Sequence, residues 1–217
     1  MPDVEASGAS EHANVGGPVI RAVVLDIGGV LEINDEALFD GPFEQRHRLA
    51  DGAVLEAIIR LPSHPGLGGI TEAQTREHWQ RELDLTHAQA DELMADFWRW
   101  YVGTLDQTMF DWFASQRPAR RTGIISNSNP GAREAERCWG FEAITDDIVY
   151  SHEVGLMKPD PRIYELAAQR LGVRLDELVF VDDVPEYVEA AKTTGCRAIL
   201  HESTPTTIAA VERIIEG

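Results

Sequence analysis

The chain of 217 residues carries 37 acidic against 19 basic side chains, a formal net charge of −18. A surface so acidic repels nucleic acid and anionic membrane, and any anionic ligand has to meet positive charge supplied locally, by a lysine, a metal or helix N-termini. A hydrophobic fraction of 43% suits an ordinary globular core, the length allows one large domain or a core with a modest insertion, and no apolar run approaches the length of a membrane span.

Residues 1–18 are polar and rich in small residues, without the apolar centre of a signal peptide, so they read as a disordered leader and the protein as cytoplasmic. The two cysteines, Cys138 and Cys196, have no C-x-x-C partner and no histidine at metal spacing, and read as buried, reduced thiols. Val19 to Asp26 forms the first predicted strand. It is an apolar run that ends in one carboxylate followed by Gly28 and Gly29. Taken alone, Asp26 is as readily an N-cap or turn aspartate as a nucleophile, a metal ligand or both.

From Glu32 to about Thr104 the period becomes helical, with Leu49, Val54, Leu55, Ile58 and Ile59, then Trp79 and Leu83, then Leu93, Phe97, Trp98 and Tyr101. Thr71 and Gln74 form a capping box, His64 to Gly69 is a loop, and the aromatic group Phe97, Trp98, Trp100 and Tyr101 reads as helix packing. Strand and helix then alternate. Predicted strands are Arg121–Asn127, Asp146–Ser151, Leu178–Val181 and Arg197–Leu200. Predicted helices are Thr108–Ser115, one capped by Asn129 with Pro130 at its first position, Pro161–Leu171 closed by Gly172, Pro185–Thr194, and Thr206–Glu216. This pattern predicts an α/β fold with a parallel sheet and right-handed crossovers. It gives a core of residues 19–31 and 105–217 and a helical insertion of residues 32–104.

Four segments fall at carboxyl ends of strands or just beyond, where open α/β sheets bind ligands. They are Asp26-Ile27-Gly28-Gly29-Val30, Ile124 to Asn129, Gly155 to Pro161 around Lys158, and Val179 to Pro185 with the pair Asp182-Asp183. In this order they resemble the four motifs of the haloacid dehalogenase-like hydrolases, over about residues 20 to 202. The run Val154 to Tyr164 is similar to the phosphatase domain of bifunctional epoxide hydrolases and the sugar-phosphate phosphatases related to it. The resemblance implies a Rossmann-like, doubly wound sheet with the insertion as a helical cap.

The resemblance also implies roles. Asp26 would attack phosphorus to give an aspartyl phosphate. Asp26, the carbonyl of Gly28, and Asp182 and Asp183 would hold Mg²⁺, with Asp183 in direct contact. Ser126 would hydrogen-bond a phosphate oxygen, helped by the backbone N–H groups of Asn127 and Ser128, and Lys158 would neutralise nucleophile and phosphate together. The implied activity is a Mg²⁺-dependent phosphatase of a small phosphorylated metabolite, with no nucleic-acid or membrane partner and with oligomeric state open. The family's phosphatases usually carry a second aspartate two residues after the nucleophile as general acid–base, and here, as in some members of the resembling branch, glycine (Gly28) stands in that place. Three expectations follow from that glycine: substrates with good leaving groups, such as acyl or anomeric phosphates; a substitute among Glu32, Asp35, His47 and His64; or a binding module that has lost catalysis. A 2-haloacid dehalogenase is a further alternative, opposed by the acidic pair Asp182-Asp183.

Overall fold

The computed structural model describes residues 19–217, so the leader expected at 1–18 lies outside the described residues. Strand β1 (Ala22–Leu25) is followed by a two-residue strand β2 (Glu32–Ile33) and four helices, α1 (Asp40–His47), α2 (Ala53–Ile59), α3 (Glu72–Glu82) and α4 (His87–Val102). Then come β3 (Thr104–Leu105), α5 (Gln107–Ser115), β4 (Arg121–Ser126), the single turns α6 (Ala132–Ala135) and α7 (Phe141–Ile144), and β5 (Asp147–Tyr150). The chain closes with α8 (Ser151–Val154), α9 (Pro161–Leu171), β6 (Leu178–Asp182), α10 (Pro185–Thr193), β7 (Arg197–Leu200) and α11 (Thr204–Glu216).

The five long strands form one parallel sheet in the order β5-β4-β1-β6-β7. β1 is central, and its four residues Ala22-Val23-Val24-Leu25 are apolar and fully buried, as a strand covered on both faces requires. Because side chains alternate along a strand, Val23 and Leu25 join the cluster under α5 and α11, while Ala22 and Val24 join the cluster under α9. The order reverses at β1, with β4 on one side and β6 on the other. The carboxyl ends of these three strands therefore sit side by side.

The insertion has an apolar cluster of its own, in which Phe43, Val54, Trp79, Leu93 and Phe97 pack together. Thr71 caps α3 with the expected box to Gln74, and Thr86 with Gln89 repeats the device on α4. The periodicity did not foretell the short antiparallel ribbon of β2 and β3, in which Glu32 faces Leu105 and Ile33 faces Thr104. Two residues a side carry no period to detect.

Two local expectations fail. Asn129 and Pro130 do not open a helix. Gly131 adopts φ = 103°, outside helical space for any side-chain-bearing residue, so α6 begins at Ala132. Cys196 is buried as expected, but Cys138 is exposed, on the outer face of a 3₁₀ turn whose Glu136 points inward.

Candidate active site

Asp26 follows β1, and its backbone N–H donates to the carbonyl of Val181 at 2.9 Å, which locks the first motif to β6. Its side chain is 11% exposed. Oδ1 accepts from the N–H of Ile27 at 2.8 Å, and Oδ2 lies 2.8 Å from Lys158 Nζ. The same ammonium donates to Asp182 Oδ2 at 2.6 Å, and Asp182 Oδ1 accepts from Val184 N–H at 2.8 Å. Lys158 and Asp182 are buried almost completely. Removing one partner of such a buried charged group typically costs about 3–5 kcal/mol, so the triad is a unit and not three independent residues.

Lys158 sits on an irregular loop, and Asn127 at the end of β4 fixes it. The Asn127 amide donates to the Lys158 carbonyl at 2.9 Å and accepts from the Lys158 N–H at 2.8 Å. The Asn127 side chain thus serves the lysine loop. Ser126 is 3% exposed and lies beside the Tyr101 hydroxyl. The N–H of Ser128, expected to face a phosphate, donates instead to Ser151 Oγ at 2.9 Å and is already used.

Burial raises the Asp26 carboxyl to about 7, with Lys158 pulling against it and Asp182 reinforcing it. Burial also works against the Lys158 ammonium, but Asp26 and Asp182 outweigh it and hold its pKa above the usual lysine value. Asp183 is raised by burial and by Asp182. Asp26, Asp182 and Asp183 each offer an oxygen within 4.8 Å of the others. Three hard oxygen donors so close, with acidity frustrated by mutual repulsion, fit a small divalent cation. Asp183 is seated against the backbone of Gly29: a Cβ there would stand 2.2 Å from its Oδ2, and Gly29 has φ = 74°. Gly28 is different. Its φ is not positive, and a Cβ would meet only Asn34 Oδ1, at 3.7 Å.

A cavity of about 130 Å³ opens on Asp26 and is lined also by Gly28, Glu32, Asn34, Trp100, Tyr101, Ser126, Asn127 and Glu136. Trp100 and Tyr101, which the sequence places in helix packing, do pack there but also wall this cavity. Of the four residues considered as stand-ins for the missing aspartate, only Glu32 is present. Asp35 caps a 3₁₀ turn, His47 is held by Glu92 and Gln89, and His64 accepts from Gly66 N–H. Burial, followed by repulsion from Glu136, raises Glu32 to about 9, and burial raises Glu136 to about 7. Glu136 and Asn34 were not anticipated. Glu136 opens a 3₁₀ turn too short to carry a period, so no pattern in the sequence marks it.

Comparison with known proteins follows the same lines. The family profile of the haloacid dehalogenase-like hydrolases matches residues 20–195. The chain is 32% identical over 194 residues to Phosphatase MT3486 of Mycobacterium tuberculosis (strain CDC 1551 / Oshkosh), covering 83% of this chain and 87% of that protein. Among solved structures it is similar to one described as a predicted HAD-like family hydrolase from Porphyromonas gingivalis, with TM-score 0.73 and 22% identity over 92% of this chain and 99% of the other. A HAD family enzyme from Bacteroides thetaiotaomicron, solved in complex with magnesium and inorganic phosphate, has TM-score 0.70 and 18% identity over 84% and 94% of the two chains.

Proposed function

The chain belongs to the haloacid dehalogenase-like hydrolases, and from that membership we propose that it is a Mg²⁺-dependent phosphatase of a small phosphorylated metabolite. The observation that carries this reading is the meeting of Asp26, Asp182 and Asp183 with a single buried ammonium, Lys158. Asp26, Asp182, Asp183 and the carbonyl of Gly28 would hold Mg²⁺, which when bound offsets the charge of carboxylates and phosphate.

Asp26 attacks phosphorus and the ester oxygen leaves, giving an aspartyl phosphate that water then cleaves. Lys158 orients Asp26 and carries positive charge toward the phosphate oxygens, while Asn127 holds the lysine loop in place. Ser126 binds a phosphate oxygen. The insertion of residues 32–104 acts as a cap, presenting Trp100 and Tyr101 to the same cavity.

Dehalogenation of a 2-haloacid would start from the same attack by Asp26, but it has no use for three acidic groups gathered on one point. Phosphate release from p-nitrophenyl phosphate, with Mg²⁺ and with excess chelator, tests the reading. Release is expected with the metal only. Undiminished turnover of a 2-haloacid in chelator, with no phosphate released under either condition, would replace it.

A further inference from the structure

The cavity that opens on Asp26 has a part that the chemistry above leaves unused. Glu32 and Glu136 are each 1% exposed, and both line it. Glu136 commits Oε2 to the hydroxyl of Tyr150, at 2.6 Å, whereas its Oε1 and the Oε1 of Glu32 have no hydrogen-bond partner among the described residues, although the equally unpaired indole N–H of Trp139 lies beside Glu32. Asn34 donates from Nδ2 to the carbonyls of Trp100 and Tyr101, 2.8 Å each, and turns Oδ1 toward Gly28. Three acceptor oxygens therefore belong to residues of one cavity, and among the described residues no lysine, arginine or histidine is part of its lining.

A buried acceptor left unpaired costs about 1–3 kcal/mol, and native structures rarely tolerate one without a group to satisfy it. The complementary ligand is rich in donors, free of lone pairs and positive. A primary ammonium carries three N–H donors and no acceptor. A hydroxyl offers these oxygens one donor against the three of an ammonium, and a carboxylate would meet acidic groups with no base among the described lining residues to answer it. Trp100 and Tyr101 add aromatic rings, which also favour a cation.

We propose that Glu32 and Glu136, with Asn34 Oδ1 as a third acceptor, bind the ammonium of a short aminoalkyl phosphate whose phosphate lies at Asp26. This rests on the phosphatase reading for the other end of the same molecule. Arrival of the ammonium favours the ionised form of both glutamates, so the buried carboxyls exchange their protons for a counter-ion.

The experiment uses the full chain with Mg²⁺ and compares 2-aminoethyl phosphate with ethyl phosphate, glycerol phosphate and O-phosphoserine. Affinity is read by calorimetry and as inhibition of p-nitrophenyl phosphate turnover. 2-Aminoethyl phosphate is expected to bind about tenfold or more tighter than ethyl phosphate, the scale of a charge-assisted contact, and O-phosphoserine to lose that gain. Glu32→Gln and Glu136→Gln should bring the ratio of the two esters toward one, whatever happens to absolute activity. Equal affinities in the wild type, or tighter binding of glycerol phosphate, overturn the proposal, and this comparison decides alone if a variant fails to fold. Absence of p-nitrophenyl phosphate turnover would count against the phosphatase reading, while the calorimetric ratio would still decide the ammonium site.

Discussion

Two neighbouring glycines separate conformational need from chemical choice. Gly29 is required by geometry: its φ is positive and Asp183 occupies the space of a Cβ. Gly29→Ala should therefore displace Asp183 and weaken Mg²⁺, read as a smaller rise in Tm on adding the ion. Gly28 has room for a Cβ and no positive φ, so the turn does not require a glycine there. Without an acid there, the acidity of the leaving oxygen should set the rate, and kcat/KM should fall steeply with leaving-group pKa across aryl phosphates. Gly28→Asp should flatten that slope and speed the poorest leaving groups most, by up to the 10²–10⁴ typical of general acid catalysis. An unchanged slope in a folded, metal-binding variant would mean that the proton comes from elsewhere. Asp26→Asn keeps the shape but is a poor nucleophile, and should remove phosphate release while leaving far-UV dichroism unchanged. Near-normal turnover would take Asp26 out of the nucleophile's role.

At the scale of elements, the lysine loop depends on one side chain of β4. Asn127→Ala loses two hydrogen bonds to Lys158 at about 0.5–1.5 kcal/mol each. It should lower kcat by more than the loss of stability would dictate, and Asn127→Asp should restore only the acceptor half. Equal kcat in Asn127→Ala and wild type would show that the loop holds itself. What the sequence disclosed follows the same division. Asp26, Ser126, Lys158 and Asp182-Asp183 were legible because each closes a strand or loop with its own local pattern, and the strand order brings them together. The ribbon of β2 and β3 was not, because pairing over two residues depends on where the insertion returns. Glu136 was hidden for a related reason: a glutamate on a short turn reads as solvated surface until the β4–β5 side folds over it. Pro130 pointed to a helix start, but the left-handed backbone of Gly131 intervenes.

For the whole molecule, burial of acids sets how stability depends on pH. Asp26 and Glu136 sit at about 7 and Glu32 at about 9, all above their ordinary values because burial disfavours the charged form. The unfolded chain ionises these groups near their ordinary values, so the folded state keeps protons that the unfolded state has released. That contribution is fully present below the ordinary carboxyl range and is lost as pH rises through about 7 and then about 9. Each group contributes a slope of up to about 1.4 kcal/mol per pH unit within its window. Denaturation without metal should show stability declining from pH 6 to 9, and Glu32→Gln should flatten the upper part of that decline. A flat profile in the wild type would mean that these acids are solvated in solution.

The seclusion of Lys158 also makes it a reporter. The chain has only two lysines, Lys158 and Lys192. The first side chain is 0% exposed between two carboxylates, while the second is 48% exposed on α10 beside Glu189. An amine-reactive reagent should label Lys192 at once. Lys158 should be labelled only when its loop lifts from the carboxyl end of the sheet far enough to part it from Asp26 and Asp182. The ratio of the two labelled peptides by mass spectrometry then becomes an internal clock for that opening, with Lys192 supplying the reference in every molecule. Ligands that close the site should slow the clock, and labelling of Lys158 as fast as Lys192 in the folded protein would show that the triad is not closed.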